Sequence, residues 1–388
     1  MPAATPRTIL YLVTEDFYFV SHRLPVARAA RDAGMRVIVA TRVGAASQRL
    51  RAEGFEVVAL QHLRRGAAGP QHDARLLAER VVLYRTRRPD LVHHVAAKPV
   101  LFGSLAASIA SVPCRVNAFA GLGWAFTQPG ARGAVLSRAF SAAYRVALGA
   151  PCSVVLFQNT DDRDTLVRTG AVRAEQTEVI RGSGVDLTQF KPAERAGVGA
   201  DPVVVVFGAR MLRDKGVREL VEAVRQLRAR GLPVEARLYG APDPENPANI
   251  DERTLEAWNR EGVVRWMGAT GDMAGALRAA DSACLPSYRE GLPKFLLEAA
   301  AMGLPLVSCD VPGCREVVQH GENGLLVPAR EVVPLADALA TLVADADLRA
   351  RMGRASRRLA EDAFGEGGVA AQTLALYERL LAQAGRPC

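Results

Sequence analysis

The chain lacks any apolar run long enough to span a bilayer as a helix. Its opening residues, MPAATPRTIL, lead straight into a strand-like run, without the charged-then-apolar plan of a secretory signal. The expectation is a cytoplasmic protein. The six cysteines (114, 152, 284, 309, 314 and 388) form no CxxC pair, and no histidine completes a zinc set around Cys309 and Cys314. They read as reduced structural thiols, and no metal site is expected. Aromatic residues make up only 6% of the chain and are not interleaved with basic ones, which argues against a nucleic-acid partner. A phosphate-binding loop of the GxxxxGK type followed by Ser or Thr is also missing.

What remains is ordinary for a folded protein: 49% hydrophobic and 23% charged among 388 residues, too many for one core. The charge is uneven. Residues 1–190 carry a net +10 and the remainder a net −2, so an anionic partner should meet the first half.

Short β-rich runs alternate with helical stretches along the whole chain. Strands are expected at Thr8–Thr14, Arg36–Thr41, Glu56–Leu60, Leu91–Val95, Cys114–Phe119, Ser153–Gln158 and Thr177–Arg181, with a polar loop over Glu15–Ser21. KPAERAGVGADP, rich in Gly, Pro and charge, reads as a linker before the pattern restarts at the four-valine run VVVVFG. The fold class is α/β: two Rossmann-like doubly wound domains facing each other across a cleft. The expected boundaries are 1–190, a linker at 191–202, a second domain over 203–365, and a C-terminal helix at 366–388 that packs back on the first domain. In such sheets ligands bind outside the carboxyl ends of the strands.

Two strand exits in the second half carry chemistry. Arg210 and Lys215 follow VVVVFG beside Gly208 and Gly216, as a fork and a point charge suited to a diphosphate. PSYREGLPKFLLEAAAM then places Glu290, Gly291 and Leu292 in a tight loop, with Pro293 suited to the first helical position and Lys294 in the first turn of an apolar helix bearing Glu298. The free N–H groups of that helix suit an anion, and Glu298 leans back toward them as an acceptor for paired hydroxyls. Helix capping is the alternative role for Glu290. Asp345-Ala346-Asp347 and Asp162-Arg163-Asp164 contain acidic pairs, but both read as helix-terminal residues rather than metal ligands. His93 and His94 have no third ligand nearby and read as core residues.

Together these elements resemble the donor site of retaining glycosyltransferases of family 4, which have the GT-B fold. The resemblance runs through TEDFYFVSHRLPVARAARDAGMRVIVAT, VIRGSGVDLTQFKP, FGARMLRDKGVRELVEA, LPSYREGLPKFLLEAAAMGLPLV and VPGCREVVQHGENGLLVP. It implies transfer of a sugar, an N-acetylhexosamine, from a UDP-sugar co-substrate without a metal or other cofactor. Glu298 would accept from the ribose diol and Glu290 would contact the transferred sugar. Arg210 and Lys215 would neutralise the departing diphosphate, and GLLV at 324–327 would close the nucleotide side. Many members carry a histidine before the glycine of the first-domain loop; Ala120 stands there instead, so no catalytic histidine is assigned. GLGWAF looks more like the subgroup that extends undecaprenyl-diphosphate-linked saccharides. Acceptor candidates in the first half are Glu15, His22, Arg23, Lys98, Gly121 and Trp124, and the arginines and apolar residues of RGAVLSRAFSAAYR suit an anionic membrane face. That would place the protein peripherally on the inner face of the cytoplasmic membrane. The alternatives are a UDP-N-acetylglucosamine 2-epimerase and a nucleotide-sugar-binding protein without catalysis.

Overall fold

A computed structural model describes residues 6–62, 69–121, 130–192 and 202–384. Contacts divide the chain into two compact units, one of residues 1–183 with 367–388, the other of residues 184–366.

Among the described residues the first unit has seven strands: β1 (Thr8–Glu15), β2 (Arg36–Arg42), β3 (Glu56–Ala59), β4 (Leu91–Val95), β5 (Cys114–Ala118), β6 (Ser153–Phe157) and β7 (Thr177–Val179). All pairings are parallel, in the order β3-β2-β1-β4-β5-β6-β7. The connecting helices are α1 (Asp16–His22), α2 (Leu24–Asp32), α3 (Ser47–Ala52), α4 (Pro70–Arg87), α5 (Ala97–Ile109), α6 (Gly130–Leu148) and α7 (Thr160–Arg168). The second unit has six: β8 (Val203–Gly208), β9 (Val234–Tyr239), β10 (Arg265–Gly268), β11 (Ser282–Leu285), β12 (Leu306–Cys309) and β13 (Gly324–Val327). Their order is β10-β9-β8-β11-β12-β13, again all parallel. Its helices are α8 (Val217–Ala229), α9 (Glu252–Glu261), α10 (Met273–Arg278), α11 (Lys294–Ala301), α12 (Val332–Ala344) and α13 (Ala346–Ala363). Helices on both faces explain why the central strands read as unbroken apolar runs rather than alternating ones. The two sheets are those of a doubly wound α/β protein.

The last helix, α14 (Glu366–Ala384), belongs to the first unit. Its Val369, Leu376, Tyr377 and Leu380 share a core with Ile9, Tyr11, Val39 and Leu91.

The expected polar loop after β1 is instead a short helix. Glu15, Asp16, Ser21 and His22 mask its character, but Phe19 is buried edge-on against Tyr11, ring centroids 5.2 Å apart. The Asp16 carboxylate accepts from the N–H of Gly44 (2.6 Å) and the hydroxyl of Ser47 (2.7 Å), which fixes where the helix starts.

Strand alternation sends His93 and His94 to opposite faces of β4, and both are fully buried. His94 Nδ1 meets Asn117 Oδ1 at 2.7 Å and its Nε2 meets Tyr84 Oη at 3.0 Å. That pattern suits a neutral ring donating from Nδ1 and accepting at Nε2. Burial pushes its pKa down to about 3, against the Asn117 hydrogen bond that would raise it. A base depressed on folding stabilises above its unfolded pKa, and this is lost as pH falls from about 6.5 toward 3. Between pH 7 and 5 wild type should therefore lose stability relative to His94→Asn by about 1 kcal/mol per unit fall in pH, read as the difference between their urea unfolding free energies.

Candidate active site

In the second sheet the strand order reverses between β8 and β11, so the crevice at their carboxyl ends is the expected ligand position. The loop after β8 carries Arg210 and a single 3-10 turn, Arg213–Lys215; the loop after β11 runs from Pro286 to Pro293. These stretches lie some 75 residues apart in sequence and are tied together directly. The carbonyl of Asp214 accepts from the N–H of Tyr288 (2.9 Å) and the hydroxyl of Ser287 (3.2 Å). Gly216 sits between them with φ +73°, where a side chain would be strained and a Cβ would lie 2.0 Å from the carbonyl oxygen of Pro286.

Each cation already holds a carboxylate. Lys215 Nζ lies 2.6 Å from Glu290 Oε1, both largely buried. Arg210 Nη1 lies 2.6 Å from Asp243 Oδ2, with the guanidinium half exposed. Glu290 therefore does not cap α11, which has no side-chain cap. Pro293 is the N-cap of α11 in extended conformation, rather than its first helical residue as the sequence suggested; the helix begins at Lys294. Glu298 is half-buried one turn in. Burial pushes its carboxyl up to about 7, with the nearby Lys294 charge pulling the other way. A carboxyl so placed is costly to ionise without hydrogen-bond donors. Gly208 has no room for a side chain, since a Cβ would lie 2.4 Å from the Phe295 ring. Leu292 is buried, and Gly313 packs against the carbonyls of Glu290 and Gly291, with a Cβ position only 2.6 and 2.5 Å from them. The GLLV stretch is β13, an edge strand beside β12.

Four residues of this region, Asp243, Glu219, Tyr288 and Arg330, are not among those the sequence singles out. Asp243 follows β9 in APDPEN, an acidic residue at a neighbouring strand exit that was a usable signal. Tyr288 donates to Glu219 Oε1 at 2.5 Å, and Arg330 lies over its ring, 4.7 Å from the centroid. Neither contact has a local sequence signature.

The acceptor candidates are distributed differently. Glu15 is buried and paired with Arg42 at 3.0 Å. His22 stacks on Tyr18 with centroids 4.1 Å apart and meets Ser21 Oγ through Nδ1 at 2.5 Å. Arg23 is buried at the junction of α1 and α2. Lys98 lies in the first turn of α5, whose N-cap Ala96 has φ +79°. Gly121 has φ +136°, and Trp124 lies outside the described residues. Among the described residues no cluster of three or more His, Cys, Asp or Glu is placed to hold a metal. Asp345 caps α13, accepting from Leu348 N–H at 2.7 Å, while Asn159, not Asp162, caps α7.

Two family profiles match, one in each unit. The profile described as glycosyl transferase 4-like covers residues 8–158, and that described as glycosyl transferases group 1 covers residues 201–345. The chain belongs to these glycosyltransferases, and it is an enzyme of that class. A relative similar over nearly its whole length is the N,N'-diacetylbacillosaminyl-diphospho-undecaprenol alpha-1,3-N-acetylgalactosaminyltransferase of Campylobacter jejuni, 27% identical over 92% of this chain and 95% of the relative. The D-inositol 3-phosphate glycosyltransferase of Kribbella flavida is 34% identical, but the match spans only 57% of this chain and 55% of that protein. Among solved structures, sucrose-phosphate synthase from Thermosynechococcus elongatus aligns with a TM-score of 0.78 at 19% identity, over 97% of this chain and 100% of that one. Anabaena HepE in complex with UDP-glucose aligns with a TM-score of 0.75 at 22% identity, over 97% and 99%. Both share the fold.

Proposed function

We propose that the enzyme transfers a sugar, an N-acetylhexosamine, from a UDP-sugar to a lipid-diphosphate-linked saccharide, with retention of configuration and without a metal. The observation that carries this reading is the convergence of Arg210, Lys215, Glu290 and the start of α11 on the β8–β11 reversal point. Breaking the bond to the sugar leaves negative charge on the diphosphate, and two cations with a helix N-terminus stabilise that charge as it develops. Arg210, Lys215 and Glu290 act on the reacting group, whereas Glu298 accepts from the ribose hydroxyls and the backbone from Gly208 and from Gly291 to Lys294 surrounds the nucleotide. The N-terminal unit takes the acceptor. A lipid-diphosphate acceptor is supported by the name of the Campylobacter relative and by the positive charge concentrated in the first half.

The deciding experiment screens UDP-sugars against lipid-diphosphate saccharides and determines the anomeric configuration of the product. Acceptor-dependent UDP release with retention is expected. UDP release with an epimerised free sugar, and no need for acceptor, would replace this reading by the epimerase.

Peripheral attachment to the inner membrane face is part of the same proposal. On α6, Val135 and Val146 are 66% and 74% exposed, with Arg138 on the same stripe. Arg145 donates to the carbonyl of Gly170 at 2.7 Å, so it is a poor choice for testing membrane contact alone. Replacing Arg138 by Glu and Val146 by Asp together should lower sedimentation with vesicles containing anionic lipid by several-fold, while turnover on a soluble acceptor analogue stays within twofold. Equal sedimentation would remove the membrane contact.

A further inference from the structure

Arg23 stands apart from the other buried cations of the first unit. It is 5% exposed, yet among the described residues its guanidinium makes no hydrogen bond or ion pair, and its Nε is buried without an acceptor. Arg115, by contrast, donates to Ser108 Oγ at 2.7 Å. The carboxylates nearest in sequence are committed elsewhere, Glu15 to Arg42 and Asp16 to Gly44 and Ser47. Four rings feel its charge, the buried Tyr11, His93 and Tyr377 and the partly buried Tyr18, and none of them is a carboxylate. Burial and the Arg23 charge keep His93 neutral, so it adds no second cation.

The side chain is also not sealed in the core. It lines a cleft with Phe119, Gln158, Ile180, Gly182 and Thr373, at the carboxyl ends of β5 and β6. The cleft has about 10 Å³ of free space, room for one water-sized atom. Gln158 is buried there with no side-chain partner among the described residues, which leaves its amide as a second donor. The backbone of Arg23 is held on both sides, its N–H by the carbonyl of Phe19 (2.8 Å) and its carbonyl by the N–H of Ala27 (2.9 Å). The backbone that carries this cation is thus fixed beside a one-atom cleft that the residue lines.

A buried guanidinium without a counter-charge is unfavourable in the free protein, and an unpaired arginine lining a cleft one oxygen wide suits an anion that arrives from outside. We infer that Arg23, with Gln158, forms an anion subsite of the first unit that takes one phosphoryl oxygen of the acceptor's diphosphate. The identity of the ligand rests on the proposed function; the anion subsite itself does not.

The test uses the full-length enzyme and Arg23→Met, with Arg23→Lys as a second variant. For a water-soluble diphosphate-linked acceptor, KM should rise at least tenfold in Arg23→Met and less in Arg23→Lys, while affinity for UDP stays within twofold. Melting temperature supplies a readout that a structural arginine would move the other way. Removing an unpaired buried cation should leave Tm unchanged or raise it, whereas a drop in Tm with parallel losses in UDP affinity would mark a packing role and overturn the inference. With UDP saturating the donor side, inorganic pyrophosphate should raise Tm of the wild type and not of Arg23→Met. An unchanged acceptor KM, or an equal pyrophosphate shift in both proteins, would also overturn it. If no lipid-diphosphate saccharide is a substrate but the Arg23-dependent pyrophosphate shift persists, the subsite stands and the acceptor assignment falls.

Discussion

Lys215→Ala should lower kcat/KM for transfer by about a hundredfold, roughly 2.7 kcal/mol of transition-state stabilisation. The size follows from where the ammonium sits. It is largely buried, 2.6 Å from Glu290, on a loop fixed by Tyr288 and Gly216. A preorganised cation in a partly desolvated site acts on developing phosphate charge without reorganising. Its removal also leaves the Glu290 carboxylate without its partner beside an incoming diphosphate. Lys215→Ala should therefore weaken UDP binding, and adding Glu290→Gln should restore part of that loss. A double-mutant cycle on UDP affinity measures the coupling, expected at about 1 kcal/mol or more for charges in direct contact. Near-normal turnover in Lys215→Ala would remove the residue from the site.

Glu298→Gln should separate stability from function. The native carboxyl titrates near 7 because burial disfavours its charge, against an ordinary value of 4.5. Between those two pH values the folded protein binds more protons than the unfolded one, so this group makes stability fall as pH rises, levelling off above about 7. Glutamine lacks that decline. The variant should match wild type near pH 4.5 and exceed it by roughly 2 kcal/mol at pH 8, read from urea unfolding. Nucleotide binding should move the opposite way. An ionised carboxylate accepts from both hydroxyls of a ribose diol, so wild-type affinity for UDP should rise as pH passes 7. In Glu298→Gln it should be about tenfold weaker at pH 8 and nearly flat with pH. If the variant is no more stable and binds UDP normally, Glu298 is not the diol acceptor.

The sequence made much of this second unit legible because its signals are local. The valine run of β8, the glycines around Lys215 and the eight-residue spacing of Glu290 and Glu298 each lie within one stretch. What was hidden depends on distant packing. Glu290 looks like a capping residue until Lys215, 75 positions earlier, is brought beside it. Arg210 looks like a free cation until the β9 exit delivers Asp243. In the first unit, Glu15 to His22 read as a loop because polar residues outnumber the one anchoring phenylalanine that makes it helical. Arg23 stands among the acceptor candidates of the sequence, but its burial is not legible there. Nothing local distinguishes a buried arginine from the many solvated ones; only the arrangement of α1, α2 and α14 around it does.

The placement of α14 has a consequence for biosynthesis. Tyr377, hydrogen-bonded to His93 across 284 positions of chain, reaches the core of the first unit only when the final helix is made. Domains commonly fold in the order in which the ribosome delivers them. Here the N-terminal sheet emerges first yet has an open apolar face, while the whole of residues 184–366 can mature ahead of it. A released chain truncated after residue 366 should hold a protease-resistant second unit and a sensitive first one, the order of folding then being the reverse of the order of synthesis.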